Sequence, residues 1–205
     1  MNRLRQPRIV PPLGSLGVAK AASHFPHIQA LCERGGQIDL GYTKIGAAIA
    51  FGVKGAVAAV RASAHHSIAF HLHRLDRAIA IGQSTRTRVD EILSSSRMVP
   101  IGVAGSAEIP GLRLPNIQSL LKCGGCVAFG NCRPGAAVAV EEKEPLAILA
   151  PISSESVEDL LRRLDWAISL AKSQGITIDE VFAPSGLANA VDRGTAGQTS
   201  PSSVR

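Results

Sequence analysis

The sequence predicts an α/β protein, a mixed sheet with flanking helices, and two observations carry that prediction. Apolar runs alternate with helix-period segments along most of the chain. The alternation is plainest in the C-terminal third. There the apolar runs Ala136–Val140 and Leu146–Leu149 precede Val157, Leu160, Leu161, Leu164, Ile168 and Ala171 at helical spacing. Ile176-Thr177-Ile178 then returns as a strand.

Taken in order, residues 1–17 contain Pro7, Pro11 and Pro12 and read as a flexible N-terminal arm. A helix is expected from Val18 to Cys32, broken or kinked at Pro26 and closed by Arg34-Gly35-Gly36. Gln37–Leu40 and Thr43–Phe51 form a strand pair, although the all-apolar second run also suits a buried helix, as does Val53–Val60. Ile68, Phe70 and Leu72 alternate as in a strand, with histidines on the other face. Ser84–Thr87 is a turn, Val89–Leu93 a helix fragment and Val99–Gly105 a strand ending in a Gly turn. Ile117–Lys122 is a helical turn before a cysteine cluster.

Glu141–Pro145 joins two strands as a hairpin. Ser153–Ser156 supplies N-caps for the helix from Val157, with Glu155, Glu158 and Asp159 suited to its dipole and Gly175 as its stop. A strand at Val181-Phe182-Ala183 and a short helix at Leu187–Val191 follow. The expected organisation is an arm at 1–17, a single α/β domain at 18–192 and a disordered tail at 193–205, with no internal repeat.

Composition narrows the function classes. Hydrophobic residues make up 45% and charged residues 19%, the usage of a globular protein. Aromatics are only 3%, so the core must be built from Ala, Val, Ile and Leu. The same composition also occurs in reading frames never selected to fold. The net charge of +6 is scattered, beyond a short basic arm at Arg3, Arg5 and Arg8. A nucleic-acid partner is disfavoured, because no clustered basic face with stacking aromatics is evident.

No apolar run reaches the roughly 18–20 residues that span a bilayer. The nearest, Ile45–Val60, is interrupted by Lys54. No secretory core precedes Lys20, so a cytoplasmic location is expected, without a membrane partner. Four cysteines do not suggest a disulfide framework.

The segment with most chemistry is Ile38-Asp39-Leu40-Gly41-Tyr42-Thr43-Lys44-Ile45. An Asp on a strand can anchor Mg²⁺. A Gly lets backbone N–H groups approach phosphate oxygens, and Thr and Lys donate to them. This stretch resembles the first phosphate loop of the actin-like ATPase and sugar-kinase superfamily, nearest to its ROK-type members, with Tyr42 where a small residue is usual. Ile101–Ser106 and the stretch from Val157 through Ser185-Gly186 fall in the order of later segments of such kinases.

The resemblance implies a small or truncated actin-like lobe: a five-stranded mixed sheet with the Asp39 turn at its mouth. It further implies binding of ATP with Mg²⁺, or another small phosphorylated ligand, by Asp39, Gly41, Thr43 and Lys44. It lacks the acidic segment of a second lobe, so it implies a nucleotide-binding remnant as readily as a kinase, and no catalytic residue is assigned.

Cys123-Gly124-Gly125-Cys126 with Cys132 offers an alternative: a small non-enzymatic domain held by a metal such as zinc on Cys123, Cys126 and Cys132. Thiol redox chemistry and inert cysteines near a turn stand beside it. ROK-type relatives carry a Cys-rich zinc loop of different spacing. His65, His66, His71 and His73 are the remaining cluster. On a strand His71 and His73 share a face and could chelate a metal, or simply face solvent. The Gly35-Gly36 and Gly14–Gly17 pairs make no dinucleotide fingerprint.

Overall fold

The computed structural model describes residues 23–41, 46–63, 65–92, 112–132 and 135–181. The first half runs α1 (Pro26–Glu33), β1 (Gln37–Gly41), β2 (Ala47–Gly52), β3 (Gly55–Arg61), α2 (Ile68–Thr85) and β4 (Val89–Asp90). The second runs α3 (Pro115–Lys122), β5 (Cys126–Gly130), β6 (Ala137–Glu141), β7 (Glu144–Leu149), α4 (Val157–Gln174) and β8 (Ile178–Asp179). The strands make one mixed sheet in the order β4-β3-β2-β1-β5-β6-β7-β8. Only the outer pairs β3/β4 and β7/β8 are parallel. The α/β class with flanking helices is therefore as expected, with eight strands among the described residues rather than five.

The order of elements is the same in both halves, and this overturns the expectation of no repeat. The correspondence extends to residues: adding 89 to a position in the first half gives its counterpart in the second. Pro26, Ile28, Gln29, Leu31, Gly35 and Gly36 recur as Pro115, Ile117, Gln118, Leu120, Gly124 and Gly125. Ser67, Leu72, Arg74, Leu75, Asp76, Asp90 and Glu91 recur as Ser156, Leu161, Arg163, Leu164, Asp165, Asp179 and Glu180. The same spacing relates Arg8-Ile9-Val10-Pro11 to Arg97-Met98-Val99-Pro100, outside the described residues.

The halves join through the antiparallel pair β1/β5, in which Asp39 faces Ala128. These two are themselves counterparts, so a pseudo-two-fold axis passes between them.

Strand register explains how the layers form. Ile38, Leu40, Ala48, Ala50, Ala58 and Val60 share one face with Val127, Phe129, Ala137, Ala139, Ala147 and Leu149. All are buried in one core cluster with residues from the four helices. Small residues on the strands let the helices sit close, and Phe25, Leu72, Leu161 and Phe129 supply bulk at 0% exposure. Gln37, Asp39 and Gly41 point to the opposite face and are half-buried.

The short helices depend on the long ones. Neither α1 nor α3 has a side-chain cap from its own N-cap residue, Phe25 or Leu114. Asp76 of α2 instead accepts from the backbone N–H groups of His27 and Ile28, both at 2.8 Å. Asp165 of α4 does the same for Asn116 at 2.9 Å and Ile117 at 2.8 Å. Each carboxylate thus satisfies orphan donors at a neighbouring helix start. Gly36 and Gly125 carry the chain into β1 and β5 where a side chain would not fit. A Cβ there would lie 2.7 Å from the carbonyl oxygens of Phe51 and Val140 respectively.

Several local expectations are corrected. Pro26 opens α1 at its first turn instead of breaking a longer helix, because the missing N–H of proline costs nothing there. The stretch from Ile68 is a helix: Ser67 caps it by accepting from Phe70 N–H at 3.2 Å, and Ile68, Leu72, Leu75 and Ile79 lie on its buried face. The Ile68/Phe70/Leu72 alternation was too short to fix a period. Val89 and Asp90 are a strand. The stretch after the CxxC pair is the central strand β5, hidden in the sequence by its Cys and Gly content. The segments at 1–17, 99–105, 187–191 and 193–205 lie outside the described residues.

Candidate functional site

The hairpin of β1 and β2 brackets residues 42–45. Gly41 ends β1, where it pairs with Ala47 of β2 and Cys126 of β5. Asp39 lies two residues earlier on the face away from the helices. Its carboxylate accepts from the side-chain amide of Gln37 at 2.6 Å. Burial raises its pKa above the ordinary carboxylate value, and the Gln37 hydrogen bond partly opposes that shift.

The backbone around Gly41 is accessible: a Cβ there would meet nothing closer than the Cβ of Cys126 at 3.8 Å. Gly124, in the loop that leads to Cys126, has φ +88° and no heavy atom within 4 Å of a Cβ position. Hence Asp39, Gly41, Gly124 and Cys126 converge on one end of the β1/β5 pair. Thr43 and Lys44 lie outside the described residues.

The cysteines behave as buried or isolated thiols. The thiol of Cys132 donates to the carbonyl oxygen of Gly135 at 3.3 Å, and burial pushes its pKa up to about 11. Burial similarly drives Cys32 to about 12, with Cys132 adding to the shift. Cys126 is raised by burial and then by the Asp39 charge, while Cys123 is exposed. For Cys32, Cys126 and Cys132 such environments disfavour the thiolate that binds metal. Among the described residues no group of three or more His, Cys, Asp or Glu could hold a metal ion. Cys123, Cys126 and Cys132 are therefore not brought together as a zinc site.

The histidines are dispersed by the helix. His71 is buried, with its Nε2 2.9 Å from the carbonyl oxygen of Ser63. Burial lowers its pKa. His73 lies edge-on to Phe25, with ring centroids 5.0 Å apart. Burial lowers its pKa too. Their proposed pairing on one strand face is thus removed by the change of period from two to 3.6.

Sequence reasoning missed a pair of arginine clusters that the repeat exposes. Arg163 binds the carboxylate of Glu180 at 2.7 Å, the carbonyl of Ala150 at 2.8 Å and, through two nitrogens, Glu155 at 3.0 and 2.8 Å. Its counterpart Arg74 binds Glu91 and the carbonyl of Arg61. The signal was the recurrence of an Arg-Leu-Asp triplet and an Asp-Glu pair at one fixed spacing.

No helix among the described residues is long and apolar enough to cross a membrane. No family model, curated protein or solved structure matches the chain.

Proposed function

We propose that the chain binds a phosphorylated ligand, of which ATP with Mg²⁺ is the leading candidate, at the β1–β2 hairpin. The observation that carries this reading is the contrast across the pseudo-two-fold axis. Asp39 is a half-buried carboxylate where the second half has Ala128, so the scaffold is served by alanine there. A carboxylate kept at a desolvation cost in one half alone has a use other than folding. Gly41 and Gly124 leave backbone open beside it, the condition for close approach of an anion.

In this reading Asp39 anchors the cation. A Mg²⁺ ion would offset the burial that raises the pKa of Asp39, and it takes its other ligands from water and phosphate oxygens. Gly41 permits backbone donation, and Thr43 and Lys44, next in the sequence, donate to the phosphate. The reading assigns binding and no chemical step.

The test is a thermal-shift titration with ATP and Mg²⁺. Ligand at about 100 times its Kd is expected to stabilise the fold by about 2.7 kcal/mol. Asp39→Ala is expected to abolish the shift while the protein still melts cooperatively. No shift with the parent chain, or an equal shift with Asp39→Ala, would sink the reading.

A further inference from the structure

A cavity of about 260 Å³ lies between the end of α2 and the start of β3. Leu31, Val57 and Ile79 give it an apolar floor, and the exposed side chains of Gln83, Arg86 and Arg88 line it as well. Four of its lining residues have larger counterparts in the second half. Ala56, Val57, Gly82 and Thr87 correspond to Pro145, Leu146, Ala171 and Ile176. The floor residues Leu31 and Ile79 are unchanged, as Leu120 and Ile168. The first half thus keeps the frame and removes the filling.

The charges differ along with the space. The first half has Arg86 and Arg88 where the second has Gly175 and Thr177. On the adjoining β2–β3 hairpin it has Gly52, Val53 and Gly55 where the second has Glu141, Glu142 and Glu144. Gly52 adjoins the cavity wall: a Cβ there would lie 3.3 Å from the side chain of Val57 and 3.9 Å from that of Leu31. In the second half Lys172 binds Glu141 at 2.7 Å, and Thr177 donates to the carbonyl oxygen of Pro145 at 3.1 Å. At those places the first half has Gln83, Gly52, Arg88 and Ala56. No acidic side chain lines the cavity among the described residues.

The two arginines are not equivalent. Arg88 is bound to Asp90 at 2.6 Å. Arg86 has no side-chain hydrogen bond or ion pair among the described residues. It also holds φ 55°, a left-handed conformation that its counterpart Gly175 adopts without a Cβ clash. A strained residue kept beside a cavity points to a use at that place.

We propose that this cavity binds a short aliphatic carboxylate. The alkyl chain lies on Leu31, Val57 and Ile79, where each buried methylene adds to affinity. The carboxylate meets the guanidinium of Arg86, whose planar fork suits it, and Arg88 adds positive potential. The cavity is smaller than the roughly 300–1,000 Å³ of sites for drug-sized ligands, which favours a short acid over a nucleotide. It lies at the opposite end of β2 from residues 42–45, so its fate does not depend on nucleotide binding at the β1–β2 hairpin.

The experiment is an NMR titration of the full chain with hexanoate, following the backbone amides of Ile79, Gly82 and Gln83 and the Nε–H of Arg86. Acetate tests the tail and hexylammonium tests the charge. Hexanoate is expected to shift all four signals. Acetate, lacking four methylenes, is expected to bind at least roughly tenfold more weakly. Hexylammonium, which Arg86 repels, is expected to be weaker by about tenfold or more.

Arg86→Gly and Arg86→Asn both suit a left-handed helix stop. Each is expected to weaken hexanoate by about tenfold and to remove its advantage over hexylammonium. Ala56→Leu, which fills the cavity and keeps both arginines, is expected to abolish the hexanoate response; should it fail to fold, the Arg86 variants decide. No response in the parent chain, or a hexanoate affinity unchanged in the Arg86 variants or in folded Ala56→Leu, would overturn the proposal. Acetate binding as tightly as hexanoate would mean adventitious anion binding only, and hexylammonium binding as tightly would mean an unselective apolar patch; either result also overturns it.

Discussion

The two halves of this chain are built alike and furnished differently. Both use a proline-started helix capped by an Asp from the long helix, a Ser N-cap and an Arg–Glu pair tying that helix to the sheet edge. They part at Asp39 against Ala128, His66 against Glu155, His71 against Leu160 and Arg86 against Gly175. What is repeated satisfies buried donors and fills the core, as any working copy of this fold requires. What is not repeated falls partly on that scaffold, at the buried pair His71 and Leu160 and at the helix stops Arg86 and Gly175, and partly outside it, at Asp39 against Ala128 and His66 against Glu155.

The strongest way to break the comparison is through the core. Leu72 and Leu161 are counterparts, each 0% exposed under a long helix. Leu72→Ala and Leu161→Ala are each expected to cost about 2–5 kcal/mol, by lost burial and the cavity left behind. Because β1/β5 makes the sheet continuous, both variants should show one urea transition with an unchanged m-value. Two separated transitions, or a slope altered in one variant alone, would mean that the halves unfold independently.

Cap carboxylates give a smaller and sharper test. Asp165 holds two backbone donors and, through its second oxygen, the side chain of Asn116 at 2.8 Å. Asp76 holds two backbone donors among the described residues, His27 standing where the second half has Asn116. Burial also raises the pKa of Asp76, hydrogen bonding from Ile28 opposing, so part of its gain is spent on desolvation. Asp165→Ala is expected to cost about 2–3 kcal/mol and Asp76→Ala about 1–2 kcal/mol. Chemical denaturation at neutral pH reads both. The reverse order would place the asymmetry elsewhere than in the third hydrogen bond.

The class of fold was legible because apolar runs and the Ser156–Gly175 helix obey simple periods, and α4 lies where its spacing put it. The first half was harder. Three alternating residues at Ile68–Leu72 imitated a strand, and only the capping Ser67 and the longer spacing to Leu75 and Ile79 revealed α2. The repeat was the missed signal. Aligning Arg74-Leu75-Asp76 with Arg163-Leu164-Asp165 would have transferred the clear second-half pattern onto the ambiguous first. At the candidate site Asp39 and Gly41 were legible as a strand and its end. Their neighbours Gly124 and Cys126 were not, because long-range strand pairing leaves no local period.

The smallest difference concerns how the long helices stop. Both end with a residue in the left-handed region, Arg86 at φ 55° and Gly175 at φ 64°. Each donates its N–H back to the helix, to Gly82 and Ala171 respectively. Glycine adopts this conformation without a Cβ clash, whereas an L-residue is strained by roughly 1 kcal/mol. Arg86→Gly makes the first half match the second. It relieves that strain but frees the unfolded chain, so a net gain of about 0.5 kcal/mol is expected. The melting temperature should rise by about 1–2 °C for a chain of this size. Arg86 also lines a cavity of about 260 Å³ with Leu31, Val57, Ile79 and Gly82. A loss of stability in Arg86→Gly would therefore mean that contacts of the arginine at this cavity outweigh its backbone strain. The first half would then have exchanged a glycine stop for a side chain that its own packing uses.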